Sequence, residues 1–263
     1  MADTKINWTD SVWNPVTGCT KTSSGCANCY AEKMANRLQR MGQAKYRDGF
    51  AVRCHPGELE KPLRWRKPRR VFVNSMSDLF HEEVPFDFFD AVFGVMAATP
   101  HITYQVLTKR AGRMCRFFHG LGRQGNVVAR VAMEGHGIRP DCFPEDWPLP
   151  NVWLGVTVEH PDYLDRLDLL RATPAAVRFV SAEPLLADLG EIDLTGIDQV
   201  IVGAESGPKR RPMNLDWVRS IRDQCAQAGV PFFFKQAEVD GKVVSMPTLD
   251  GREHNQFPEV RRG

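Results

Sequence analysis

Six short runs of apolar, β-branched and aromatic residues recur along the chain with little polar alternation: VFVNS (71–75), TYQVLT (103–108), VWLGVTV (152–158), VRFVSA (177–182), QVIVGA (199–204) and PFFFKQ (231–236). Each is too short for a free-standing helix. Their lack of alternation marks strands buried on both faces, as in a parallel sheet covered by helices. Between them lie FDFFDAVFGVMAAT, YLDRLDLLRAT and LDWVRSIRDQCAQAG, which carry apolar residues at helical spacing with a cap or breaker nearby. With a first strand near SVWNPVTG, the pattern predicts about six to seven strands in an α/β fold, a partial or complete parallel (β/α) barrel. One domain is expected over 1–263, with 237–263 folding over the barrel as a hairpin or lid.

Every run ends in polar or charged residues. VFVNS leads into Met76-Ser77-Asp78, YQVL into Thr108-Lys109-Arg110, GVTV into Glu159, RFVSA into Glu183, VIVGA into Glu205-Ser206, and PFFF into Lys235-Gln236. In a parallel barrel the carboxyl ends of the strands share one face, so these groups would ring a single mouth, where such barrels keep their chemistry. The plainer reading of any one of them is a helix cap, or a salt bridge to Lys109, Arg110 or Lys235.

Composition sets limits on the chemistry. At 263 residues and 43% hydrophobic, the chain can bury a large core, and its formal net charge of +2 names no partner. No basic leader with an apolar stretch opens it, and no apolar run approaches the roughly 18 residues that cross a bilayer, which points to a cytoplasmic protein with no membrane partner. Basic residues cluster in KPLRWRKPRR (61–70), RAGRMCR (110–116) and KRR (209–211). The first could neutralise phosphates while its tryptophan stacks on a base, or could be a solvated connector into the next strand.

Seven cysteines in a chain without an export signal favour metal binding or catalysis over a disulfide framework. Three of them converge in GCTKTSSGCANCYAEK (18–33): Cys19, Cys26 and Cys29, separated by six residues and then two, with Gly18 and Gly25 allowing sharp turns. A structural zinc site wants four ligands, of which Cys54-His55 could supply the last. A four-iron cluster on three cysteines leaves one iron open to a substrate or cofactor. Thiols without metal are the third reading. Cys115, Cys142 and Cys225 stand alone, and Cys225 reads as a small buried hydrophobe within a helix.

Together WNPVTGCTKTSSGCANCYAEK, NSMSDLFHE, QVLTKR, GVTVE, FVSAEPLL, VIVGAESGPKRRPM, FFFKQ and DGREHNQFP resemble an uncharacterised, often phage-encoded three-cysteine-motif family, grouped with the radical S-adenosylmethionine superfamily. The resemblance runs from about Ile6 to Pro258. It implies a partial barrel, a 4Fe-4S cluster on Cys19, Cys26 and Cys29, and S-adenosylmethionine as cosubstrate, with an electron donor such as flavodoxin. It also implies Ser75, Asp78, Thr157, Glu159, Ser181 and Gly203 as cofactor-binding residues, and Glu183, Glu205 and Lys235 as catalytic ones. The chain departs from the superfamily pattern in its six-residue first gap, in Asn28 before Cys29 with the aromatic Tyr30 after it, and in Asn74-Ser75-Met76-Ser77-Asp78 where Gly-Gly-Glu is usual. A nucleic acid or nucleotide is the expected substrate, with Tyr30, Tyr104 and Cys142 as candidate hydrogen-atom donors. The alternative is a zinc-stabilised nucleic-acid-binding or nuclease-like protein, whose Asp78, Glu159, Glu183 and Glu205 hold a hard cation such as magnesium.

Overall fold

In the computed structural model, which describes residues 4, 6–120 and 147–259, the apolar runs become strands of one eight-stranded sheet. β1 (Ser11–Trp13), β4 (Arg69–Val73), β5 (Ile102–Thr108), β6 (Val152–Thr157), β7 (Val177–Ala182), β8 (Gln199–Gly203) and β9 (Phe232–Val239) lie side by side, each pair parallel. β10 (Lys242–Ser245) joins β9 antiparallel. A separate antiparallel pair, β2 (Val16–Thr17) and β3 (Arg53–Cys54), frames the cysteine segment. The expected parallel strands are present, and β1 and β10 are the two edges of the sheet, so the barrel is partial. The helices are α1 (Tyr30–Arg40), α2 (Phe86–Ala97), α3 (Ala111–Phe118), α4 (Asp165–Ala172) and α5 (Leu215–Ala228) among the described residues.

The runs lack polar alternation because both sheet faces are apolar. Val71, Val73, Tyr104, Val106, Leu154, Val156, Val200 and Val202 face the helices in the main core, while the alternate positions Trp153, Phe179, Ile201 and Phe233 join Trp8 in a second cluster on the concave side. That side is curled. A flat sheet would hold β4 and β9, five strand spacings apart, at about 24 Å. Yet Phe257 lies 4.0 Å under the Arg70 guanidinium of β4 and 5.4 Å, centroid to centroid, from Phe233 of β9. Trp8 bridges a narrower gap, from β4 to β7, three strand spacings apart: its ring lies 4.7 Å from Phe72 and 6.0 Å from Phe179. Phe257 meets the second residue of each strand, Arg70 of β4 and Phe233 of β9, so it closes the lower end of the barrel.

The tail runs down the free edge of β9: Phe234 N–H donates to His254 O (2.8 Å) and Phe232 N–H to Gln256 Oε1 (3.0 Å). Residues 254–256 thus line the lower part of that edge, and β10 lines the upper part. The basic strip 61–70 runs into the amino end of β4, where its last two residues, Arg69 and Arg70, begin the strand. Its Trp65 packs on the main core with Arg69 5.2 Å above it, which makes it a connector residue. No helix among the described residues is long and apolar enough to cross a membrane.

Candidate functional site

The cysteine loop leaves β2 at the carboxyl end of the barrel. Gly18 has φ +82, and a β-carbon there would stand 2.0 Å from Ala51 O, so only glycine can precede Cys19. Its N–H donates to Met76 O at 3.0 Å, pinning the loop to the segment after β4. Cys26 closes a short 3-10 turn (Ser24–Cys26), and Cys29 caps the amino end of α1. All three thiols are free and half-buried. Among the described residues, no three His, Cys, Asp or Glu side chains stand together ready to hold a metal ion.

Three of the strand-end carboxylates hold this loop, one beside each cysteine. Asp78 accepts from Thr108 Oγ1 (2.7 Å) and Lys109 N (3.0 Å), and pairs with Arg110 at 3.5 Å. Arg110 in turn donates to Thr20 O (3.1 Å), Thr20 Oγ1 (2.9 Å) and Cys19 Sγ (3.5 Å). Glu159, fully buried, accepts from Ser23 Oγ and Gly25 N–H (3.2 Å) and pairs with Arg166 at 3.0 Å. Glu205 accepts from Asn28 Nδ2 (2.9 Å) and from the Arg211 N–H (2.8 Å) and guanidinium, and Arg211 also reaches Ser24 O at 3.0 Å.

The fourth carboxylate stands apart. Glu183 pairs with Lys235, each side chain 17% exposed, and the two groups bond each other rather than the loop. Glu183 borders Gly203, where a β-carbon would come within 3.2 Å of the Glu183 carboxyl carbon. Thr157 and Ser181 are register partners on neighbouring strands, both buried. Ser75 Oγ donates to Asn14 Oδ1 (3.2 Å), and next to it the buried Asn74 Nδ2 has no hydrogen-bond partner among the described residues. So Asp78, Glu159 and Glu205 converge on the cysteine loop, while Glu183, Lys235 and Gly203 form a neighbouring group. Of the proposed hydrogen-atom donors, Tyr30 is 56% exposed beside Cys29. Tyr104 bonds Thr99 within the helix-facing core, and Cys142 lies outside the described residues.

Electrostatics separates the thiols. Burial pushes Cys19 up to about 11, with Asp78 adding to the rise and Arg110 opposing it. At Cys26 burial also pushes upward, but a Thr22 backbone hydrogen bond, the Lys109 charge and Ser23 outweigh it, and the thiol ends below its ordinary value. Burial alone raises Cys225 to about 12, an inert core thiol. At Glu205 burial is outweighed by the hydrogen bonds from Arg211 and Asn28, so the carboxyl is held below the usual range.

Ser23, Tyr163 and Arg166 carried no signal in the sequence, and Asn28 stood out only as a departure from the superfamily pattern. Arg110 and Arg211 were visible only as members of basic clusters. Each of the four carboxylates proposed as a cation ring is matched by its own cation: Arg110, Arg166, Lys235 and Arg211.

Residues 3–258 match the family described as "Protein of unknown function (DUF5131)", and the chain belongs to that family. No curated protein matches the sequence. Among solved structures, it is similar to spore photoproduct lyase complexed with dinucleoside spore photoproduct, at 11% identity and TM-score 0.39, over 81% of this chain and 59% of that one. A double mutant of that lyase with bound AdoMet and the dinucleoside gives 12% identity and TM-score 0.39, over 82% and 61%. The chain therefore spans about three fifths of the length of these structures.

Proposed function

We propose that this family member is a radical S-adenosylmethionine enzyme, with Cys19, Cys26 and Cys29 holding a 4Fe-4S cluster at the mouth of the partial barrel. The observation that carries the reading is the cysteine loop itself: three free, half-buried thiols at the carboxyl end of a parallel barrel, tied to that barrel beside every cysteine. The chemistry of the donors supports the reading, although the three thiols do not stand together as a ready metal site among the described residues. Three thiolates leave one iron without a protein ligand, and Lys109 and Arg110 supply positive charge beside Cys26 and Cys19. Such a cluster, reduced by an external electron donor, would supply the one electron needed to cleave S-adenosylmethionine into methionine and a 5′-deoxyadenosyl radical.

This chain's own residues then divide the remaining work. The unpartnered Asn74 amide and Ser75, at the end of β4, are donors suited to the amino-acid end of the cosubstrate. Thr157, Ser181 and Gly203 are assigned to its ribose and adenine. Glu183 and Lys235, with Glu205 beside the loop, are assigned to the substrate. The cation-cage alternative is weakened by the cation already paired with each carboxylate.

The substrate class proposed is a nucleotide or nucleic acid. Its support lies at the mouth and not in strip 61–70. Tyr30 is exposed, Lys33 and Lys209 are exposed one turn and one loop away, and Lys33 Nζ would lie 3.6 Å from a β-carbon at Gly207. An exposed ring among cations suits stacking on a base with its phosphates neutralised. Anaerobic incubation with S-adenosylmethionine and a reductant tests the reaction class. 5′-Deoxyadenosine forms if the reading is right; none forms, from iron-loaded protein, if it is wrong.

A further inference from the structure

The segment that lengthens the first cysteine gap has an anchor of its own. Ser23, Ser24 and Gly25 lie between Cys19 and Cys26, and each is bound to one buried unit reached from the end of β6. Glu159 Oε1 takes the Ser23 hydroxyl and the Gly25 N–H (3.2 Å). Arg166 Nη1 holds Glu159 Oε2 at 3.0 Å and the Thr157 carbonyl at 2.7 Å. The Arg166 guanidinium lies 4.2 Å over the Tyr163 ring, and the Tyr163 hydroxyl accepts the Ser24 N–H at 3.1 Å. Glu159 is 0% exposed and Arg166 6%.

Sterics agree with this arrangement. A β-carbon on Gly25 would stand 2.7 Å from Glu159 Oε1, so any larger residue there would have to displace the carboxylate or the loop. A buried carboxylate is costly unless its charge is paired and its oxygens hydrogen-bonded. Here one oxygen meets Arg166 and the other meets the loop. The carboxylate therefore needs the loop as much as the loop needs the carboxylate.

We propose that Glu159, backed by Arg166 and Tyr163, is the positioning residue for Cys26: it seats Ser23–Gly25 against the barrel and so fixes where the second thiol is presented. The unit acts on the metal-free chain, and its consequence for a cluster rests on the function proposed above. Arg110 and Glu205 tie the two ends of the loop, at Thr20 and Asn28, whereas Glu159 grips its middle.

The test uses Ser23→Ala, Tyr163→Phe and Glu159→Gln in the full chain. The first two leave the Glu159–Arg166 pair intact, so they report even if the third folds poorly. Two readouts are taken: hydrogen exchange of the amides of residues 23–27 in the metal-free protein, and the visible and paramagnetic spectra after anaerobic loading with iron and sulfide. Losing a neutral hydrogen bond should speed local exchange about threefold to tenfold, and weakening the charged acceptor about tenfold to a hundredfold. Iron content and spectra should change in the same order, with the melting temperature of Tyr163→Phe nearly that of the wild type. Unchanged exchange in Ser23→Ala and Glu159→Gln overturns the inference, as do faster exchange and wild-type spectra together. If the wild type takes up no iron, the proposed function fails, and the exchange rates alone then decide the positioning role.

Discussion

Thiol chemistry in the metal-free protein offers a quantitative check on how the loop is seated. Cys19 is raised from 9.0 to about 11, chiefly by burial. At pH 8 a thiol of pKa 11 is about 0.1% thiolate and one of pKa 9 about 10%, a hundredfold difference in the reactive form. Nucleophilicity rises with pKa, with a Brønsted slope near 0.45, which returns about tenfold over two units. Cys19 should therefore alkylate about tenfold more slowly than an ordinary exposed cysteine, before any steric hindrance. Cys26, held below its ordinary value, should be far more ionised than Cys19. Anaerobic labelling with iodoacetamide at pH 8, resolved by mass spectrometry at each cysteine, reads the order directly. Replacing Arg110 with Gln removes a charge that pulls Cys19 down, and should slow its labelling further. If Cys19 labels as fast as Cys26, the thiols do not sit as described, and the assignment of Arg110 to Cys19 and Lys109 to Cys26 is wrong.

Three further outcomes rest on the same contacts. Cys19 and Cys225 keep protons in the folded chain that an unfolded chain releases near pH 9, so their contribution to stability is whole below pH 9 and lost as pH rises towards 11 and 12; melting temperatures measured from pH 8 upward should decline, and a flat profile would contradict the burial of these thiols. Gly155→Ala puts a β-carbon 2.5 Å from the Phe179 ring and should cost about 1–3 kcal/mol, a fall in melting temperature of roughly 2–12 °C, whereas Gly57→Ala, with open space around it, serves as the neutral control. Lys235→Met should leave iron uptake intact while lowering 5′-deoxyadenosine formation or its coupling to product, because Glu183 and Lys235 bond each other rather than the cysteine loop; loss of iron in this variant would place the pair with the loop instead.

The strands were legible because the fold makes both sheet faces apolar: VWLGVT has no polar side because Leu154 and Val156 meet helices while Trp153 meets the concave cluster. The curl was not legible. It depends on Trp8 and Phe257, residues from opposite ends of the chain, which join β4 to β7, three places away, and to β9, five places away. Likewise β10 has four exposed residues, including Val243 and Val244, and is a strand only through its pairing with β9. The mouth was legible as a set of strand-end polar groups, since the parallel direction gathers them. Their partners were not. Glu159 read as a cofactor ligand and Glu205 as a catalytic group, and the side chains that bond them, Ser23 and Asn28, come from more than 130 positions away. The basic strip read equally as a phosphate patch or a connector, because charge density says nothing about what Trp65 packs against.

Iron analysis tests the three loop thiols as cluster ligands most directly. Wild-type protein purified or reconstituted anaerobically should be brown, with about four iron and four sulfide per chain. Alanine at Cys19, Cys26 or Cys29 should abolish the colour, and alanine at Cys54 or Cys115 should leave it. Colourless protein carrying stoichiometric zinc after anaerobic reconstitution, or colour that survives the loss of a loop cysteine, would contradict that assignment.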